Sequence, residues 1–360
     1  MTIKRILTRS LVSLLKPSVV GAMLGWAFLL PTVGDSHEAA ELYQQALVAT
    51  HSKDFTKAKN LLEQDIQVFP LHPEAHHLLG LVQFELTHDP GSAIPHLQRA
   101  VELAPHFVQA QYDLALLHLQ QGNIEDAQRL LQHTLQAYPK FWEAHLALAQ
   151  TLEKQEKITL ALEQYQAVLA TQPDNPEALY ALGYLQFKDG EFGKAHSPIS
   201  HLVSAHPQHA EGWFLLGRLE ETRNQTNKAV EAYETAVSLN PENDEAHHNL
   251  GFLYQQEGQS AKAIEHFQAV TRINPHDFDA FMNLGVLLTA ANNTAKAKAA
   301  YLQALSINES SPELHYNLGN FFEFHEIELD RAAQHYRRYI ELGGTDPRIQ
   351  RLLEQLSPKP

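Results

Sequence analysis

From about Ser36 onward two kinds of apolar segment alternate along the chain, both with the three- and four-residue spacing that marks one face of an α-helix. The first kind carries a small residue at its centre. A break rich in Gly, Asn and Asp follows, and the second kind begins around an alanine. Prolines punctuate the pairs at Pro70, Pro105, Pro139, Pro173, Pro207, Pro241 and Pro275, 35 residues apart once and 34 residues apart five times. The same interval separates "HHNLG" (247 to 251), "FMNLG" (281 to 285) and "HYNLG" (315 to 319), where Asn-Leu-Gly returns and the residues before it change. A catalytic pair has no reason to recur in this way, whereas a structural unit must. The pattern predicts a repeated helical hairpin of about 34 residues.

Register is checked at two positions. The centre of the first helix is held by Ala46, Gly80, Ala115, Ala149, Gly183, Gly217, Gly251, Gly285 and Gly319, and the start of the second by Ala58, Ala93, Ala127, Ala161, Ala195, Ala229, Ala263, Ala297 and Ala332. Nine small residues at each place mean nine units. Here the two helices of a hairpin are expected to cross, and a larger side chain would force their axes apart. Leu182, Leu216, Leu250 and Leu284 are then free to fill the space between neighbouring repeats.

These residues resemble the tetratricopeptide repeat. The unit from 244 to 277 carries the family's pattern in Leu250-Gly251, Tyr254, Gly258, Ala263, Phe267 and Pro275, and the unit from 210 adds Trp213 with Leu216, Gly217, Ala229, Tyr233, Ala236 and Pro241. The resemblance spans residues 36 to 345. It implies an all-α fold, an α-solenoid in which helical hairpins wind as a right-handed superhelix, with a groove lined by the first helix of each repeat. Some units depart from the pattern: Gln45-Ala46 replaces Leu-Gly in repeat 1, repeats 2 and 9 carry an extra residue, and Glu309 and Gly344 stand where proline is expected. Pro95 and Pro198 fall inside second helices, near the first turn, where proline is tolerated. In the segment 346 to 360, "DPRIQRLLEQL" reads as a capping helix that covers the last exposed face.

At 360 residues the chain is long for one compact core, which agrees with an array. The net charge of −15 argues against nucleic-acid binding. The first 34 residues contain no acid and carry Lys4, Arg5, Arg9 and Lys16, followed by the apolar run Val19 to Leu30. This segment reads as a signal peptide or as an N-terminal membrane anchor, with an organellar presequence as a third reading. Absence of cysteine removes disulfides, thiolate metal sites and cysteine nucleophiles.

The 22 histidines invite a metal site, but the spacings do not supply one. "HPEAHH" (72 to 77) misplaces the glutamate of a zinc-protease helix, and His196, His201, His206 and His209 do not share a helix face. His145 and His247 follow the repeat into an aromatic or apolar position and are expected to pack. "DGEFGK" (189 to 194) lacks the spacing of a phosphate loop. Neither a metal nor a cofactor is expected.

Two ladders remain. Asn249, Asn283 and Asn317 occupy one first-helix position in three successive units. In similar arrays of O-linked N-acetylglucosamine transferases, asparagines at this site hold the backbone of an extended peptide; the plainer alternative is a local or inter-repeat hydrogen bond. Glu74, Glu143, Glu177, Glu211, Glu245, Asp279 and Glu313 form an acidic ladder, interrupted by Gln109, that suits helix N-termini. It disfavours the carboxylate-terminus ligands that lysine-bearing arrays clamp. Tyr180, Phe214, His248 and Tyr316, with Arg218, are expected on the groove side.

The sequence thus describes a non-enzymatic scaffold for protein segments, probed best by neutral or basic ones, placed in the cell envelope as a periplasmic or inner-membrane-anchored protein that meets the membrane only through its N-terminal segment. Two alternatives stand beside it. One is a non-catalytic subunit of a cell-envelope export or polysaccharide assembly machine. The other is an accessory array of a glycosyltransferase-type system, for which the stretch up to Pro360 leaves no room for a catalytic domain.

Overall fold

The computed structural model describes residues 35–356, and all of the regular structure among them is helical. The proposed export or anchor segment, residues 1–34, and the tail beyond 356 lie outside the described residues. The chain forms two compact units, one ending at Leu185 and the other beginning at Gln186. In the first lie the hairpins α1 (Asp35–His51) and α2 (Phe55–Val68), α3 (Pro73–Thr87) and α4 (Pro90–Leu103), α5 (Val108–Gln121) and α6 (Ile124–Ala137), and α7 (Trp142–Lys154) and α8 (Ile158–Thr171). Helix α9 (Pro176–Lys188) spans the boundary and is followed by α10 (Phe192–Ala205). The second unit continues with α11 (Ala210–Thr222) and α12 (Thr226–Leu239), α13 (Asp244–Gln256) and α14 (Ser260–Ile273), α15 (Phe278–Ala290) and α16 (Thr294–Ile307), and α17 (Pro312–Phe324) and α18 (Leu329–Glu341), closed by α19 (Pro347–Leu356). Within each unit the two helices of a hairpin pack together, and the second packs on the first helix of the next hairpin.

The small residues meet a bulky partner rather than each other. All nine second-helix alanines are fully buried. The first-helix glycines lie against the ring or branched side chain four residues after that alanine, so that a Cβ on Gly251 would stand 2.8 Å from the Phe267 ring and one on Gly217 2.6 Å from Tyr233. Tyr301 and Tyr336 fill the same place against Gly285 and Gly319, and Leu97 against Gly80. These are the most deeply buried large side chains of the second unit: Tyr233, Phe267 and Tyr336 expose nothing. At Gly217, Gly251, Gly285 and Gly319 the ring uses the volume a side chain would need, whereas repeat 4 fits Tyr165 with Ala149 at the first-helix site.

Every hairpin turns through one residue in the left-handed region: Lys53, His88, Gly122, Glu156, Gly190, Asn224, Gly258, Asn292 and Ile327. At Gly258 the turn is closed by Gln259 N donating to Tyr254 O at 2.8 Å, the bond that ends a helix on a left-handed residue. Glycine and asparagine take this conformation with little strain. Ile327, at φ 57° and 78% exposed, is β-branched and strained there.

Pro95 and Pro198 stand further inside their helices than the sequence suggested. Asp89 caps α4 by accepting from Gly91 N at 3.0 Å and Ser92 N at 3.1 Å, so the helix starts at Pro90 and Pro95 sits in its second turn. Pro198 is likewise interior to α10 and is buried. Each removes one helical hydrogen bond.

At the other end α19 buries Ile349 completely and lays Leu352 and Leu353 on the core of the second unit. Arg348 fixes it: the guanidinium donates to Glu323 Oε2 at 2.8 Å, Asn320 Oδ1 at 2.7 Å and the Tyr336 hydroxyl at 3.1 Å.

Gly251→Leu should therefore lower stability by about 1–3 kcal/mol through overpacking against Phe267, measured by denaturant unfolding; an unchanged midpoint would refute the packing described. Ile327→Gly should raise stability by roughly 0.5–1 kcal/mol by relieving the left-handed strain, seen as a higher midpoint in the same experiment.

Candidate functional site

The histidines of "HHNLG" divide between two tasks. His247 Nε2 donates to Pro241 O, the carbonyl six residues before it, at 3.3 Å. The same bond recurs along the array from His76 to Pro70 O at 3.2 Å, Gln111 to Pro105 O at 2.6 Å, His145 to Pro139 O at 3.0 Å, Trp213 to Pro207 O at 2.9 Å and His315 to Glu309 O at 2.9 Å. What the position demands is an N–H at the end of a flat side chain, aimed at the inter-repeat turn. Donation through Nε2 leaves Nδ1 as an acceptor. In repeat 7 that nitrogen meets His266 Nδ1 at 2.9 Å, in repeat 9 His315 meets His335 at 3.0 Å, and in repeat 4 the side-chain amide of Gln164, which can turn its N–H toward the ring, lies 2.8 Å from His145. His247 and its counterparts are parts of the hairpin. His248, the next residue, turns to the other face.

That face is built from the first helices. In α13, His248 packs edge-on to Phe252 at 4.8 Å and to Phe267 at 5.7 Å. In α11, Phe214 lies 5.8 Å from the Tyr233 ring, and Arg218 carries its guanidinium 4.6 Å above Phe187 and 6.0 Å from Phe214. Tyr316 in α17 stands 5.4 Å from Tyr339 of α18. Tyr180, in the first unit, stacks on Tyr184 at 5.8 Å. Phe214, His248, Tyr316 and Tyr180 are all half-buried, so each ring shows one side and packs the other.

The asparagine ladder is mixed. Asn249 hydrogen-bonds the Tyr233 hydroxyl of the preceding repeat, and Tyr233 in turn donates to Glu221. Asn283 bonds Asp279 O in its own helix at 2.9 Å. Asn317 is half-buried and makes no side-chain hydrogen bond among the described residues. Two of the three amides thus serve the plainer role in part, and each keeps further donor and acceptor capacity.

The acidic ladder is not made of caps. Helix α13 is capped by Asn243, accepting from Ala246 N at 2.9 Å, α15 by Asp277 from Ala280 N at 2.8 Å, and α17 by Ser311 from Leu314 N at 3.2 Å. Each cap lies two residues before the ladder carboxylate. Glu245, Asp279 and Glu313 are exposed and, among the described residues, pair with no Lys or Arg; the helix dipole favours them there.

Phe252, one of the groove-side aromatics expected from the sequence, is joined on this face by two residues that were not, Val286 and Tyr339. Val286 and Phe252, one residue after the packed glycines, are each 37% exposed, as is Tyr184 in repeat 5, whereas Leu81 and Leu116 at the same place in repeats 2 and 3 are 1% exposed. Tyr339 joins Tyr316 in a cleft of about 510 Å³ that also includes Glu313, the Gly343–Gly344 turn and Asp346. Val286 was traceable, since it continues the positional series of Tyr184, Arg218 and Phe252. Nothing in the sequence points to Tyr339, which comes from a second helix. Among the described residues no three His, Asp or Glu side chains are grouped to hold a metal ion, and no helix is long and apolar enough to cross a membrane.

Stacked helical hairpins with a half-exposed aromatic face define an α-solenoid scaffold for protein–protein interaction. The chain belongs to the tetratricopeptide-repeat family. Residues 200–313 match the tetratricopeptide-repeat domain of cytochrome c-type biogenesis protein H, and the general repeat model matches residues 87–140, 112–176, 146–196 and 288–347. No curated protein matches the chain. Among solved structures, the C-terminal part of a tetratricopeptide-repeat protein from Cytophaga hutchinsonii aligns with a TM-score of 0.58 at 13% identity, over 67% of this chain and 99% of that one, a likeness of fold alone. PilF of Pseudomonas aeruginosa aligns at 0.47 and 21% identity, over 57% and 94%, and a repeat protein of Parabacteroides merdae at 0.45 and 19%, over 69% and 97%.

The histidine pairs make stability depend on pH. Burial holds His76, His96, His247 and His266 below the ordinary imidazole value, and burial together with His315 and Arg331 pushes His335 down to about 4. These rings stay neutral in the fold but take up protons near pH 6.5 when unfolded, so their contribution is complete above about pH 6.5 and is lost as pH falls toward 4. Thermal midpoints should drop over that interval. The double variant His266→Gln, His335→Gln, which copies the Gln164 arrangement of repeat 4, should flatten the drop; an equally steep decline would contradict it.

Proposed function

We propose that this protein is an exported or membrane-anchored scaffold that holds extended protein segments on the first-helix face of repeats 6 to 9. The observation that carries the reading is the exposure of Phe252 and Val286 in successive repeats, beside Asn283 and Asn317 and along an edge of carboxylates without cationic partners. Apolar side chains half open to water supply attraction, amides accept and donate to a peptide backbone whatever its side chains, and Glu245, Asp279 and Glu313 select against acidic segments. The preferred segment is neutral or basic, and its binding weakens as salt rises. The basic start and apolar run of residues 1 to 34 support placement in the cell envelope.

A second reading follows the match of residues 200–313 to the cytochrome c-type biogenesis protein H domain, since it covers repeats 6 to 8. On it, the bound segments belong to proteins of c-type cytochrome biogenesis. Deleting the protein would then lower haem-stained c-type cytochromes, and unchanged staining removes this reading.

The test of the first reading is the double variant Phe252→Asp, Val286→Asp. Both side chains are half open to solvent, so helicity and thermal midpoint should stay near wild type while affinity for a partner segment falls by about 10-fold or more. Retained affinity would remove the face from the account. Fractionation with N-terminal sequencing tests placement: recovery of the body in membrane or extracytoplasmic fractions is expected, and a cytosolic chain with Met1 intact contradicts it.

A further inference from the structure

The shallow cleft at repeat 9 gathers residues of two helices and the turn that follows them. Tyr316 rises from α17 and Tyr339 from α18, with ring centres 5.4 Å apart and planes inclined at 57°. The floor is the turn after α18, where Gly343 takes φ 95° and Gly344 N donates to Tyr339 O at 2.9 Å. Gly344 has a steric purpose there: a Cβ would run into the Tyr339 ring, so only glycine lets that ring lie against the turn and form a wall. Thr345 N donates to the Tyr339 hydroxyl at 3.2 Å and fixes the ring from its far edge.

Two carboxylates complete the lining. Glu313 is exposed and has neither an ion-pair nor a hydrogen-bond partner for its side chain among the described residues. Asp346 accepts from Arg348 N at 2.8 Å and keeps its other oxygen for a further donor. No Lys or Arg lines the cleft of about 510 Å³. Of the cations close in sequence, Arg338 pairs with Glu341 at 3.1 Å, and Arg348 has its guanidinium committed to Glu323, Asn320 and Tyr336. The site therefore offers two electron-rich ring faces and two carboxylates with no internal cation to satisfy them. Such a set attracts a cation by its rings and by its charge together.

We infer that this cleft receives a cationic side chain, lysine or arginine, of the bound segment, with Glu313 as the charge partner and Tyr316 and Tyr339 as the walls. The inference rests on the reading that the first-helix face binds protein segments, and it gives that reading a fixed point. A segment anchored by one basic residue at repeat 9 has its register set along the apolar positions Val286 and Phe252. Tyr339, Gly344 and Asp346 thereby acquire roles that the repeat pattern alone does not assign.

The test uses the full chain and two pools of capped dodecapeptides, identical except that one carries a central lysine and the other norleucine, which keeps the aliphatic stem and lacks the charge. Wild type should bind the lysine pool about 10-fold more tightly than the norleucine pool. Glu313→Gln should bring the ratio down to about 2-fold with norleucine binding unchanged, and Tyr316→Leu should lower it as well. Glu354→Gln, an exposed carboxylate of α19, should leave it as in wild type. Equal binding of both pools to wild type, or a ratio that survives Glu313→Gln, overturns the cation site while leaving the face intact. Failure of both pools to bind overturns the cation site and the segment-binding reading together.

Discussion

The array depends on one steric arrangement, a first-helix glycine or alanine seated under a bulky second-helix side chain. Gly217 beneath Tyr233, Gly251 beneath Phe267, Gly285 beneath Tyr301 and Gly319 beneath Tyr336 let two helices approach closely while an aromatic ring is fully desolvated between them. Burial of such a ring is worth about 2–3 kcal/mol on transfer grounds, which is large for a unit that cannot close a core alone. Neighbouring repeats supply the remaining cover, so stability is a sum over adjacent hairpins. The last exposed hairpin needs a terminus, and α19 provides it through Ile349 and the Arg348 bonds.

Because packing consumes the inner side of each first helix, what the other side carries is free to vary. In repeats 2 and 3 it turns inward: Leu81 and Leu116 are buried, and His77 is buried with Asp113 at 2.8 Å. At Tyr184, Phe252 and Val286 the same position stays half open, and among the described residues Glu245, Asp279 and Glu313 make no ion pair with Lys or Arg. One repeat geometry thus yields a stretch stabilised by its own polar pair and a stretch whose attractive groups await a partner. At repeat 9 the capping helix uses Asn320 and Glu323 for Arg348, leaving Tyr316, Tyr339 and Glu313 as the open end.

Much of this was legible in the chain. The period, the nine pairs of small residues and the helix at Pro347–Leu356 follow from apolar spacing, because a repeat must place the same size of residue at the same crossing. What the pattern could not supply were relations between helices distant in sequence. Phe267 was visible as a repeat residue, yet its seat on Gly251 depends on the hairpin geometry. His247 looked apolar by position and proves to be an N–H donor to Pro241 O, a bond also served by Trp213 and Gln111. The carboxylate ladder suggested capping, and the caps are Asn243, Asp277 and Ser311, each two residues before the ladder carboxylate. Tyr339 was hidden since it joins the face from a second helix.

The central claim is that the first-helix side, and not the second-helix side, receives protein segments. Val286 on α15 and Leu302 on α16 are both apolar and exposed, 37% and 46%, and belong to the same hairpin. A photo-crosslinking residue placed at each in turn, in the otherwise unchanged chain, separates the two sides in one measurement. The account predicts crosslinks to a bound segment from position 286 and none from position 302; equal crosslinking from both, or crosslinking from 302 alone, would contradict it.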